Sequence, residues 1–143
     1  SRFIMSKEPR RALSLIRRDV EFGTDVLSSG VLDFGDAEAL FTVATQSFPV
    51  QKVDIVGTAG AITIFIPFNM YDDIPAEIRI ITTIGSRIVR LGPAAQYRLM
   101  FDAFSKSIIE GNAVPTPPED AIANMRVIDA LFKSEKSGFW EDV

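Results

Sequence analysis

The stretch that most constrains this chain runs from Val53 to Phe68, VDIVGTAGAITIFIPF. Two apolar runs, Val53–Val56 and Ala61–Phe68, flank Gly57-Thr58-Ala59-Gly60. β-Branched residues dominate both arms, and the glycines offer the freedom that a reversal needs, so the pattern predicts a β-hairpin. The second arm decides more. Ile62, Ile64 and Ile66 point one way along a strand, Ala61 and Phe65 the other, with Thr63 between them. A strand apolar on both faces belongs in the middle of a sheet, with something packed on each side.

The rest of the chain supplies neighbours for that strand. Ser1–Met5 has the pattern of the last turn of an amphipathic helix, ended before Pro9, as though the chain opened in mid-structure. Arg11–Asp19 and Asp25–Phe34 read as strands, with Gly30 marking a bulge or a close backbone approach. Ala39–Gln46 reads as a third strand, Glu77–Ile84 and Ser86–Leu91 as two more after the polar loop Asn69–Pro75. The turns between the early strands are too short for crossovers, so neighbouring strands are antiparallel.

The period then changes. Tyr97, Met100, Phe101, Phe104 and Ile108 form one stripe of a helix over Ala95–Glu110, ended by Gly111-Asn112. Thr116-Pro117-Pro118-Glu119 predicts a second helix, with Thr116 as N-cap and Glu119 completing a capping box. Its apolar stripe is Ala121, Ile122, Met125, Ile128, Leu131 and Phe132, and Gly138 closes it. Strands first and helices last give an α+β class: a mostly antiparallel open sheet with helices on one face.

Length and composition agree with one domain of 143 residues, 47% apolar and 24% charged. A chain of that size buries roughly 68–70% of its unfolded surface. The net charge of −4, without long runs of one sign, argues against a nucleic-acid or anionic-lipid partner. Arg10-Arg11 and Arg17-Arg18 read as a solvated strand edge. Neither cysteine nor histidine is present, which excludes disulfides, the usual zinc sites and Ser-His or Cys-His nucleophile pairs. No apolar run reaches membrane-spanning length and nothing resembles a signal peptide, so the expected location is cytoplasmic.

Chemistry is sparse. Gly57–Gly60 is neither G-x-G-x-x-G opening a helix nor a P-loop with its lysine, and a strand follows it, so it reads as a turn. Asp72-Asp73 has no further ligands spaced near it, and Glu119-Asp120 suits the first turn of a helix. Tyr97 lies on an apolar stripe and reads as core. Gln46, Phe48 and Gln51 make a polar-aromatic rim at a strand end, where a ligand pocket can open. No catalytic, cofactor-binding or metal-binding residue emerges from spacing.

Three segments carry a resemblance. Asn112–Trp140, NAVPTPPEDAIANMRVIDALFKSEKSGFW, closely resembles the C-terminal signature of the glucose-fructose oxidoreductase / inositol dehydrogenase / rhizopine-catabolism (Gfo/Idh/MocA) family. The hairpin Val53–Ile66 resembles a strand pair of that family, and Glu21–Phe34, EFGTDVLSSGVLDF, resembles an earlier strand. The branch it is most similar to is the sugar and dihydrodiol dehydrogenases.

The resemblance implies the C-terminal substrate and oligomerisation domain, residues 1–143, of an NAD(P)-dependent oxidoreductase acting on a sugar, polyol or dihydrodiol hydroxyl. It implies an N-terminal Rossmann domain, absent from this chain, that binds NAD or NADP and carries the glycine loop and the Glu-Lys-Pro segment with the catalytic lysine. It also implies a sheet whose open face forms a homodimer or higher homo-oligomer, and a loop ahead of the hairpin that reaches a small sugar-like substrate, making Phe48 and Gln51 the substrate-binding candidates. On this reading the chain alone does not turn over a sugar. The competing expectation is a standalone, non-catalytic sheet module for self-association or sugar binding.

Overall fold

A computed structural model describes all 143 residues, Ser1–Val143. Its elements are α1 (Arg2–Met5), β1 (Arg11–Arg18), β2 (Asp25–Asp33), β3 (Glu38–Ala44), β4 (Lys52–Gly57), β5 (Gly60–Phe65), β6 (Ala76–Thr82), β7 (Gly85–Leu91), α2 (Gln96–Glu110), α3 (Pro118–Ser137) and β8 (Glu141–Asp142). The fold is α+β and every strand pairing is antiparallel. The strands form two open four-stranded sheets, β3-β2-β1-β8 and β4-β5-β6-β7. The chain divides into two compact units, Ser1–Ser47 with Thr116–Val143, and Phe48–Pro115.

The first unit holds the buried core: Ala12, Leu32, Phe34, Val127 and Ala130, ringed by Phe41, Leu131 and Val143 among others. In the ladder, Ala12 stands opposite Leu32, and Leu32 opposite Ala39, which puts these side chains on the face that α3 covers. Gly30 lies on the same face, and its role is close approach. A Cβ there would sit 2.5 Å from the Phe41 ring and 3.1 Å from Leu131. The bulge lies elsewhere, between Arg17 and Arg18.

The buried face of α3 is rotated from the expected stripe, of which Leu131 packs at the core and Ile128 and Phe132 are half-buried. Its buried residues are Val127, Ala130 and Ser134, while Ile122 and Met125 of the predicted stripe are exposed. Small side chains let the helix backbone come close to β1. Ser134 Oγ accepts the Ser14 backbone N–H at 2.9 Å, and Ser14 Oγ donates to the Leu131 carbonyl at 2.6 Å. β8 pairs only with Arg11 and Ala12, so α3 meets the β1 backbone beyond it. The start of α3 also differs from expectation. Pro117, not Thr116, is the N-cap, extended at ψ 160°, with no side-chain cap. Pro118 forces this, because a proline drives the residue before it out of the helical region.

The opposite face of this sheet carries Leu13, Val31 and Leu40 in one cross-strand row and Leu15, Ser29 and Thr42 in the next. These residues line a shallow depression of about 420 Å³, and Leu15 and Leu40 are largely exposed.

In the second unit β5 is an interior strand, as its two apolar faces required. One face is Val53, Ile55, Ile62, Ile64, Ile78, Ile80 and Val89; the other mixes Ala61, Thr63 and Phe65 with Lys52, Asp54 and Arg79. None of these strand residues is fully buried. The β4–β5 reversal needs no left-handed glycine, since neither Gly57 nor Gly60 has positive φ. Gly60 instead makes room for the Ile81 carbonyl of β6, where any Cβ would collide.

Helix α2 forms where its stripe predicts, but Tyr97, Met100, Phe101, Phe104 and Ile108 are all exposed, which corrects the expectation that Tyr97 is core. Its one buried residue is Ser107, whose hydroxyl donates to the Ala103 carbonyl at 3.1 Å. No helix in the chain is long and apolar enough to cross a membrane.

Candidate functional site

The second unit contains a backbone feature that regular structure does not explain. β5 ends at Phe65 because Ile66 adopts φ +51°, and Pro67 follows without an N–H to extend the ladder. A β-branched residue in the left-handed region is an outlier that costs on the order of 1–3 kcal/mol and persists only where its surroundings over-determine it.

Those surroundings are the Gln51 backbone carbonyl and two glutamine side chains. Gln51, just ahead of β4, accepts the backbone N–H groups of Phe68 and Asn69 on its Oε1, each at 3.2 Å. Its backbone carbonyl takes the Ile66 N–H at 3.2 Å. From the other side Gln96 Nε2, in the first turn of α2, donates to the Phe68 carbonyl at 3.2 Å. The turn 66–69 is therefore fixed by the ends of β4, β5 and α2 together.

Beside the turn opens a cleft of about 400 Å³ lined by Phe65, Ile66, Met70, Tyr71, Ile74, Pro75, Glu77 and Arg90. Its lining is mostly apolar, with one ion pair: Arg90 Nε donates to Glu77 Oε1 at 2.7 Å across the β6–β7 ladder. Arg79 stacks over the Phe65 ring at 5.7 Å. On the same sheet, Lys52 and Thr63 bond to the Asp54 carboxylate, which holds it below the ordinary carboxylate range. A mostly apolar hollow with a few fixed polar groups is the ordinary form of a small-molecule site.

Of the residues expected to meet substrate, Phe48 lies in the segment before β4 and is 85% exposed. Gln51 is half-buried, with its side-chain carbonyl engaged by the turn. Neither lines the cleft. Gln46 belongs to the first unit, and the Asp19 carboxylate there is held down chiefly by the Phe22 and Glu21 N–H groups. Sequence reasoning did not single out Ile66 or Gln96. Pro67 was the available signal for an early strand end, whereas a lone glutamine in a first helical turn reads as solvated.

No group of three or more carboxylates is placed to hold a metal. Gly57–Gly60 joins two strands and opens no helix, so this loop offers a pyrophosphate no helix N-terminus.

No family model matches the chain. By sequence it is 34% identical over 151 aligned residues to an uncharacterised oxidoreductase, ORF334, of Rhizobium meliloti, with 100% of this chain and 45% of that protein covered. It is 28% identical over 138 residues to D-xylose 1-dehydrogenase (NADP(+)) 2 of Haloferax volcanii, with 91% of this chain and 40% of that protein covered. Among solved structures, the aldose-aldose oxidoreductase of Caulobacter crescentus in complex with glycerol superposes at a TM-score of 0.81 and 18% identity, over 99% of this chain and 43% of that one. That likeness is one of fold. The chain spans less than half the length of the relatives it matches. Its sequence relatives are oxidoreductases, and it has the fold of the part of the Caulobacter oxidoreductase that it covers.

Proposed function

We propose that this chain is the substrate-binding and self-associating domain of an NAD(P)-dependent oxidoreductase acting on a sugar, polyol or dihydrodiol hydroxyl. The observation that carries the reading is the match of the whole chain, at 34% identity, to under half of an oxidoreductase. The two units together act as one domain, and a Rossmann domain N-terminal to it binds NAD or NADP. When bound, the nicotinamide supplies the hydride acceptor or donor. The work left to this chain is to bind and orient the sugar-like substrate and to exclude water from it.

The NADP in the name of the Haloferax relative supports the cofactor class, and its D-xylose supports an aldose as substrate. In the segment ahead of the hairpin, the exposed Phe48 is the residue free to meet substrate, whereas Gln51 is engaged by the 66–69 turn. The exposed Leu15 and Leu40 of the first unit and, separately, the exposed α2 stripe of the second support self-association, because large apolar patches rarely stay open to water. Action in the cytoplasm fits a nicotinamide-dependent enzyme.

The test is direct titration of NADH and NADPH, followed by a screen of aldoses and polyols, on the longer protein that contains this chain. The expected result is cofactor binding with micromolar affinity and turnover of at least one aldose. A longer protein that binds neither cofactor contradicts the reading and leaves a non-catalytic sugar-binding or assembly module.

A further inference from the structure

The geometry points to Gln51 as a positioning residue: with Gln96, it holds the Ile66–Asn69 turn and thereby the wall of the adjoining cleft, in the shape that receives substrate. This rests on the proposed function for its substrate half, while the clamp itself stands on the backbone geometry. Two consecutive N–H groups, those of Phe68 and Asn69, converge on one side-chain atom of Gln51. Only an oxygen can accept them, so the donors themselves fix the orientation of the amide. By the same logic the Phe68 carbonyl requires the nitrogen of Gln96. Phe68 is thus gripped at both its N–H and its carbonyl. The gripped turn contains Ile66, whose left-handed conformation needs external support. Phe65 and Ile66 on one side of Pro67-Phe68-Asn69 and Met70 on the other all line the cleft, so whatever fixes the turn fixes that wall.

Positioning and direct contact make opposite demands on Gln51. A clamp needs an acceptor aimed at two N–H groups; a substrate contact would use the two donors of the free NH₂ group. Gln51→Glu keeps the acceptor and removes the donors, whereas Gln51→Leu removes both. In the longer protein, hydrogen–deuterium exchange across residues 66–69 reads the clamp, and KM and kcat with a panel of aldoses and NADP read the cleft.

The expected result is faster exchange and a roughly tenfold higher KM for Gln51→Leu, with kcat nearly unchanged and Gln51→Glu close to wild type in both (about 1.4 kcal/mol per tenfold). Gln96→Leu should repeat the exchange effect and covers the case in which Gln51→Leu fails to fold. Equal KM increases in the Glu and Leu variants, with exchange still slow in Glu, overturn the inference and make Gln51 a direct contact while leaving the proposed function intact. Unchanged exchange in Gln51→Leu overturns the clamp. If the wild-type protein turns over no aldose, the functional reading fails and takes the substrate half with it, and the exchange data decide the clamp alone.

Discussion

Single residues in this chain are constrained by neighbours more than by their own conformational preference. Gly30 is the clearest case, since its missing side chain is the space that the Phe41 ring fills. Gly30→Val is therefore expected to destabilise the first unit by about 1–3 kcal/mol, the usual range for overpacking a core, and a urea titration reads it as a lower midpoint. Ser134 is its polar counterpart. It is fully buried, and its hydroxyl accepts the Ser14 N–H. Ser134→Ala leaves that N–H without a partner and should cost about 1–3 kcal/mol, measured by the same titration. A loss below a few tenths of a kcal/mol would mean that water reaches the gap.

Elements show where sequence pattern carried through and where it stopped. The hairpin was legible because β-branched runs around a glycine break have few other solutions, and the interior place of β5 followed from its two apolar faces. Both long helices were legible from their period, and the end of α2 from Gly111. The contacts of those helices were not. The buried line of α3 is built on Val127, Ala130 and Ser134, because closeness to β1 favours small side chains over the bulky stripe that periodicity picks out. The glutamine clamp was equally hidden. Gln51 was singled out as a substrate contact by resemblance, but its bonds to residues 17 and 18 positions away depend on how the chain returns after β5.

The α2 stripe belongs to this scale as well. Phe101 and Ile108 are more than half exposed, so replacing both with lysine should leave the far-ultraviolet circular dichroism and the unfolding midpoint nearly unchanged. Self-association in sedimentation should fall. A large drop in midpoint would show that the stripe is covered within the chain.

For the whole molecule, pH separates the charged contacts from the apolar ones. Glu8 is held below the ordinary carboxylate range by its bonds to Arg2, which also reaches Asp120 at 2.8 Å. Asp33 is held down by Arg11 and the Gly35 N–H, and Glu135 by Arg18. Each folded-state value lies below the unfolded one. The stabilisation is therefore fully present above the unfolded carboxylate range, about pH 4, and is lost as pH falls through the lower folded values. With no histidine to titrate, stability should stay flat from about pH 5.5 to 8 and fall below about pH 4. Arg11→Met should shrink the difference in melting temperature between pH 7 and pH 3, because it removes the main partner of Asp33. An equal difference in both proteins would assign the acid loss to other groups.

On the proposed division of labour, this chain would shape the substrate site and the remainder of a longer oxidoreductase would bring the nicotinamide. The most direct measurement compares NAD(P)H formation from an aldose by the longer protein and by the 143-residue chain at equal concentration. The expected result is steady turnover by the longer protein and none by the chain alone. Turnover by the isolated chain would contradict that division, because the nicotinamide would then be bound by this chain itself.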